Sequence, residues 1–566
     1  MIHRSSLPRL LVSLLAALLG ACSQIPTTGP VSQVSMTAQG RVVQIAPEPP
    51  QAGMSASRVV EGFLQAMADP TGGYGVARQY LSETVRDSWN PEAQTLVYEG
   101  WVEENDGAFA LHGTTKGAID PVGRYLVSET EINHEFGVVE EGGEWRIAAP
   151  PDGVLLSNYI FARSYTPVKS YFVANAGRAV LPDLLHMPQS EVIPARIIAA
   201  QLAGPSQDLS PAVHNAIPAG VSIGPGGATV DTAGTVTVDL DGLPATLSDE
   251  AKRELGAQLL WSLSSIPRVT GIKITSGGRP YAVPGQNEQL ILELSSQQGY
   301  QPLSRASTAD LYGVSDTQPG RLNPDGAFIA NSSELGPVSM TAASLDGTLI
   351  AFVTGDPAVV RIGPSGGGLV AVDTGLTDAT GAQFAQGKLW LLGTDARGQQ
   401  QILSLSSQGA VSAIDSTALP GQIVDFSVDA SGARIAAIVR RDGQTQLGTA
   451  VVAQGGALSA WQELKLAPSR GAQLSDYAAV DWTGEVALVV VARGSANPSV
   501  FVARSDGSEV NDLGPISSAP VQVTALPRLG GDAIAARASD GKVLLYQPSS
   551  TWRSTEATLS WISYPG

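Results

Sequence analysis

Cys22 is the only thiol in the chain, and it stands directly after Leu19-Gly20-Ala21. A single cysteine cannot form a disulfide within the chain, which leaves the chemistry of one nucleophilic sulfur. Two segments carry the Gly-x-Ser-x-Gly spacing of a nucleophile elbow, Gly220-Val-Ser-Ile-Gly224 and Gly363-Pro-Ser-Gly-Gly367. An elbow needs a strand before its serine, a helix after it, and an acid and a histidine further along. No histidine follows His214, and both segments lie among turn residues, so both are read as turns. The five histidines, His3, His112, His134, His186 and His214, include no i, i+4 pair of the kind that holds zinc. Asp239-Leu-Asp-Gly242 brings two acids to a turn but lacks the ligand ladder of a calcium loop. No glycine-rich loop ending in Lys-Ser/Thr is present to cradle phosphates. The expectation is therefore no catalytic residue, no metal and no cofactor, with His112 and His134 on strands or at their edges. Trp390, Trp461, Trp482, Trp552 and Trp561 are expected to be core rather than a ligand platform.

Upstream of Cys22 lie His3, Arg4 and Arg9, then an apolar segment from Leu10 to Leu19. A basic start, a short apolar centre and small residues at the end are the layout of a secretory signal peptide. The segment is shorter than the roughly 20 apolar residues a bilayer crossing needs. Leu19-Gly20-Ala21-Cys22 resembles a bacterial lipobox. That resemblance implies cleavage before Cys22, a diacylglycerol on its sulfur and an acyl group on the new amine. Two chains anchor stably where one holds only marginally, each buried methylene contributing about 0.8 kcal/mol. The mature chain is expected to be exported, with residues 1–21 removed and its attachment at Cys22.

Loss of residues 1–21 removes Arg4 and Arg9 and leaves 32 basic against 52 acidic side chains, a net charge of −20. This acidity argues against nucleic acid and against anionic lipid surfaces, both of which select clustered Lys and Arg. Residues 22–55 are rich in Pro, Gln, Ser, Thr and Gly and read as a flexible tether. Its root-mean-square span as a coil is roughly 30 Å.

Three modules follow the tether. Residues 56–170 read as α+β. A helix capped by Ser57 carries Val59, Val60, Phe63 and Met67, and a second is predicted from Val76 to Trp89 with Tyr80, Leu81 and Val85 on one face. Strands are predicted at 95–98, 109–113, 125–128, 132–139 and 144–148, with Gly142-Gly143 as a hairpin turn. Gly-Gly-Glu-Trp-Arg-Ile147 followed by Pro150-Pro151-Asp152-Gly153 resembles the last strand of cone-shaped folds of the NTF2 type. Residues 171–298 place helices at 194–204, entered by proline and left by Gly-Pro, and after Ser248, whose N-cap is followed by Asp249 and Glu250. Their strands are predicted at 170–174, 235–240, 269–275 and 289–294. Leu202-Ala-Gly-Pro205, Ala216-Ile-Pro-Ala-Gly220, Thr235-Val-Thr-Val-Asp-Leu240 and Gln258-Leu-Leu-Trp-Ser-Leu263 before Pro267 resemble the GerMN domain.

Residues 309–566 repeat. Ser344-Leu-Asp-Gly-Thr-Leu-Ile-Ala-Phe-Val353 is a turn followed by an alternating strand, and similar units lie at 384–393, 428–439, 481–491 and 526–538. Their marker glycines, Gly347, Gly387, Gly432, Gly484 and Gly531, are 40, 45, 52 and 47 residues apart. Such a period, with several short strands per unit, predicts a β-propeller of five to six blades. Residues 323–330 are a candidate strand of one more blade.

The order of lipobox, tether, NTF2-like α+β domain, GerMN α+β domain and C-terminal β-propeller resembles the LpqB family of actinobacterial lipoproteins. The resemblance implies an accessory subunit of a two-component system that contacts the ectodomain of an MtrB-like sensor histidine kinase. Effects on cell-wall homeostasis and division are implied with it. The alternative is a non-catalytic binding protein for a cell-wall component, such as a peptidoglycan fragment, held in the propeller's centre or in the first domain.

Overall fold

Ala56–Ala66 is the first helix among the described residues of the computed structural model, which describes residues 47–566 apart from 297–298, 303–305, 307, 324, 332–334, 355–357, 470, 496, 528–532 and 548. The expected signal peptide, Cys22 and the tether up to residue 46 lie outside the described residues. Residues 47–55 are already held: the Tyr80 hydroxyl donates to the Glu48 carbonyl at 2.7 Å, and the Gly53 N–H donates to Glu144. The helix cap is Ser55 rather than Ser57, because Ser55 is extended and its side chain accepts from the Arg58 N–H. Val59, Val60, Phe63 and Leu64 form the buried stripe, joined by Met67 beyond the last turn.

The single helix expected over 76–89 is two pieces, Thr71–Gln79 and Glu83–Arg86. Between them Leu81 makes a parallel bridge to Ile147, with Ser82 N–H on the Ile147 carbonyl and Ile147 N–H on the Tyr80 carbonyl, each at 2.9 Å. A backbone committed to a sheet partner cannot also continue the helical ladder. Against these helices packs a sheet in the order 125–127, 108–119, 95–105, 154–157, with 131–136 also pairing 109–114. The predicted run 132–139 is split into Glu131–Phe136 and Val138–Glu141. The turn between Val138–Glu141 and Glu144–Ile147 uses Gly142 and Gly143 at φ 61° and 83°, the left-handed geometry a tight hairpin requires. Strand Val154–Ser157, parallel to 95–98, and helix Asn158–Ser164 add to the expected elements.

The second module begins on strand Tyr165–Ala174, which pairs with Val180–Pro188 and Val213–His214. Its other sheet runs 222–230, 235–241, 271–276, 279–280, with 292–293 pairing 271–272. Strands 235–239 and 271–275 are parallel, and helix Asp249–Leu263 lies between them in the chain, capped by Ser248 as expected. Leu255, Leu259, Leu260 and Leu263 from that helix meet Ile197 and Ile198 from helix Pro194–Ala203 in one core. Inside it lies an amide network. Gln201 Nε2 donates to Ser170 and Ser262 hydroxyls, and Gln258 Nε2 donates to Gln201 Oε1 at 2.6 Å and Asn215 Oδ1 at 2.7 Å. Gln258 opens the motif Gln258–Leu263, so that motif supplies a polar link between helices as well as an apolar face.

Among the described residues the third module forms a six-bladed propeller. Five blades are four-stranded antiparallel meanders, spanning 338–373, 376–414, 422–463, 475–512 and 520–558. The remaining blade combines Leu311–Ser315, Gln318–Leu322 and Phe328–Ala330 with Trp561–Ser563, so the chain's last strand closes the ring. The repeat read from sequence is the hairpin joining the first and second strands of the five four-stranded meanders. Gly347, Gly387 and Gly432 turn those hairpins at φ 70°. The second strands do not alternate as expected. Ile435 to Val439 are all buried, because an inner strand of a propeller is covered by blades on both faces.

Polar residues on the innermost strands tie neighbouring blades together. Asp481 accepts from the Ser427 hydroxyl (2.6 Å), Trp482 N–H (2.9 Å), Thr524 hydroxyl (3.0 Å) and Ala525 N–H (2.8 Å). Residues 564–566 are buried beside them: Tyr564 N–H donates to Thr524 Oγ1, and Gly566 N–H to the Ala343 carbonyl. The inner strands of these blades are thus bridged by hydrogen bonds to one another and to the chain's last residues.

Burial pushes the Asp425 carboxyl up to about 7, and the charge of Asp481 adds to the rise, against the N–H groups of Val480 and Phe426. Asp425 lies deep in the fourth blade while keeping part of its surface accessible. Its unfolded value is about 3.9. Between about pH 4 and 7 the folded chain therefore holds a proton that the unfolded chain releases, and stability falls as pH rises across that window. Asp425→Asn is expected to flatten this decline, by an amount on the order of a few kcal/mol, in urea denaturation compared at pH 5 and 7.5. An unchanged decline would assign it to other groups.

Candidate functional site

The described residues place the sequence candidates apart. Ser222 opens the strand Ser222–Val230, a correction to the expected turn, with no helix after it as an elbow requires. Gly363 and Pro364 end a blade strand, and Ser365 lies in the turn beyond. His112 and His134 sit on strands 108–119 and 131–136. Among the described residues no three His, Cys, Asp or Glu side chains are grouped to hold a metal ion. Asp239 acts as a backbone clamp: hydrogen bonds from Gly278 N–H, the Thr275 hydroxyl and Gly226 N–H hold its carboxyl below the ordinary range. Trp390 and Trp482 are buried, and Trp461, Trp552 and Trp561 pack partly buried against blade cores, as expected. No helix among the described residues is long and apolar enough to cross a membrane.

Chemistry is concentrated instead where the modules meet. Glu485, in the first hairpin turn of the fifth blade, is 2% exposed at its side chain. It accepts from the Tyr171 hydroxyl at 2.8 Å and pairs with Lys169, both on the second module's first strand. Burial first, then the charge of Glu485, drives the Tyr171 hydroxyl well above its ordinary range, so it remains a donor. Arg434 completes this corner. Its Nε pairs with Asp429 at 3.0 Å, its guanidinium donates to the Glu485 carbonyl, and it lies 4.9 Å over the Trp482 ring.

A second contact joins His186 Nε2 to Asp506 Oδ2 at 2.7 Å. Burial opposes the Asp506 carboxylate, but hydrogen bonds and charge from His186, with help from Ser508, outweigh it and hold the group below its ordinary range. The first module docks through Arg124, which pairs with Asp183 at 3.0 Å and donates to the Gly204 carbonyl at 2.6 Å. Val127 meanwhile lies against the turn at Gly507. Between these contacts lies a cleft of about 410 Å³, lined by all three modules. Sequence reading missed this site because its members are single residues with no spacing signature. His186 and its partner are 320 positions apart.

The chain matches three family models in succession. These are "Lipoprotein LpqB, N-terminal domain" over residues 49–162, "Sporulation and spore germination" over 169–282, and "Lipoprotein LpqB beta-propeller domain" over 326–564. It is 28% identical to Lipoprotein LpqB of Cutibacterium acnes across 96% of this chain and 97% of that one. The Streptomyces coelicolor lipoprotein of the same name is 25% identical across 90% and 89%. Among solved structures, the first GerMN domain of sporulation protein GerM from Bacillus subtilis aligns with 23% of this chain and 98% of its own. Its identity is 18% and its TM-score 0.20. The periplasmic gluconolactonase of Pseudomonas aeruginosa aligns with 45% of this chain and 98% of its own, at 14% identity and a TM-score of 0.31. With its N-terminal and propeller modules both matched by LpqB models and its relatives aligned nearly end to end, the chain belongs to the LpqB family of lipoproteins.

Proposed function

We propose that this lipoprotein is a non-catalytic accessory subunit of an MtrB-like sensor histidine kinase, tied to the extracytoplasmic face of the membrane through acylated Cys22. Family membership supports the lipoprotein part of the reading. The observation that carries the rest is the clamp at Glu485, reinforced by His186–Asp506 and Arg124–Asp183, which fuses three modules into one body. An effector of a kinase must favour one of its conformations, since equal affinity for both shifts nothing. A body of fixed internal geometry can distinguish conformations in that way, and tethering raises its effective concentration beside a membrane-bound partner. The link to cell-wall homeostasis and division follows through the kinase's output. The acidic surface, with 52 Asp and Glu in the chain, fits a protein partner rather than nucleic acid.

The test is calorimetric titration of the full chain in detergent micelles into the purified kinase ectodomain. Saturable binding with a micromolar or tighter dissociation constant is expected. No heat, together with no co-purification from membranes, removes the kinase from the account.

A further inference from the structure

The junction cleft has a composition that selects a ligand. Its cations are already spent: Arg124 serves Asp183 and the Gly204 carbonyl, and Arg434 serves Asp429 and the Glu485 carbonyl. Two of its acids are also satisfied, Asp183 by Arg124 and Ser206 N–H, and Asp506 by His186. Asp208 and Glu463, which line the same cleft, make no ion pair among the described residues. Burial lifts the Asp208 carboxyl above its ordinary range, with Arg124 and Gln462 offsetting only part of the rise. A bound cation would relieve that penalty. The rest of the wall is largely apolar, with Leu126 and Val127 from the first module, Leu209 from the second, and Val451, Leu464 and Val486 from the propeller. Leu126 and Val127 remain 51% and 39% exposed, unusual for side chains that line a cleft already filled by its own protein.

From this arrangement we infer that the cleft binds a short peptide segment carrying one amine or guanidinium side chain between apolar neighbours. Its volume of about 410 Å³ falls in the range of about 300–1,000 Å³ that ligand pockets occupy. Among the described residues an anionic ligand finds both lining arginines already paired, whereas a cationic one finds two carboxylates without an ion-pair partner, Asp208 held only by Gln462 and the more distant charge of Arg124, with apolar surface in the same wall. Because all three modules line the cleft, a ligand bound there contacts each of them at once. The inference stands independently of the kinase reading.

The experiment uses the full chain in detergent micelles and calorimetry with two capped tripeptides, acetyl-Leu-Lys-Leu-amide and acetyl-Leu-Glu-Leu-amide. The lysine peptide is expected to bind saturably and the glutamate peptide at least about tenfold more weakly, the equivalent of about 1.4 kcal/mol. Asp208→Asn with Glu463→Gln should weaken the lysine peptide by a similar factor. Glu463→Gln alone, at an exposed residue, should give a smaller loss in the same direction without disturbing folding. A second arm presents Leu-Lys-Leu in the loop of a small carrier protein. Binding of both forms points to a protein loop as a source, and binding of the free form alone points to a soluble peptide. Failure of the lysine peptide in both forms would overturn the inference. So would equal binding of the glutamate peptide, or undiminished binding by the double variant.

Discussion

Asp481→Ala is expected to lower the stability of the protein by about 3–5 kcal/mol. The carboxylate accepts four hydrogen bonds within 3.0 Å, from donors in the fourth, fifth and sixth blades. Removing it strands those donors in a buried setting, each at a cost of about 1–3 kcal/mol. Against this stands the relief of a charge that burial penalises, since the Asp481 carboxyl is raised above its ordinary range mainly by burial. The donors outnumber that single relief, so the net sign is destabilising. Asp481→Asn keeps the shape but turns an amide N–H₂ toward donors, and should recover only part of the loss. Urea denaturation followed by tryptophan fluorescence reads the change directly, and a loss under about 1 kcal/mol would show that the four bonds do not carry the blades together.

Glu485→Ala is expected to uncouple the second module from the propeller. The substitution leaves the buried Tyr171 hydroxyl without its acceptor and Lys169 without its counter-charge. Removing one partner of a buried pair costs about 3–5 kcal/mol. Lys169 keeps about a third of its side chain exposed, so it can turn to water and soften the penalty, whereas Tyr171 cannot. The expected signature is local. Amide exchange should accelerate along strand Tyr165–Ala174 and in the Trp482–Val486 turn, while protection in the first blade strands stays unchanged. Uniform acceleration across all three modules would mean that Glu485 supports global folding instead of a joint between modules.

The parts of this protein that could be read from its residues are those written in local spacing. The helix Asp249–Leu263 appears at its Ser248 cap and its recurring leucines, and the blade hairpins turning at Gly347, Gly387 and Gly432 appear as a turn with a glycine before an apolar run. What escaped depends on partners far apart in the chain. Leu81 leaves its helix because Ile147 offers it a bridge, and no periodicity in residues 76–89 encodes that offer. The closing blade escapes for the same reason: Trp561–Ser563 completes it by pairing with Leu311–Ser315, some 250 positions earlier. Buried inner strands such as Ile435–Val439 are apolar on both faces, so the alternation expected of a half-exposed strand is absent. The junction site was illegible for a chemical reason. Lys169, Tyr171, His186, Glu485 and Asp506 are ordinary surface residue types, and only the fold turns them into buried pairs.

The most direct test of the central claim reconstitutes the full lipidated chain with the intact sensor kinase in proteoliposomes and follows kinase autophosphorylation. An accessory subunit should change the rate saturably with added lipoprotein, and Glu485→Ala, which loosens the joint without touching Cys22, should diminish that change. A phosphorylation rate indifferent to the lipoprotein at saturating amounts would contradict the account.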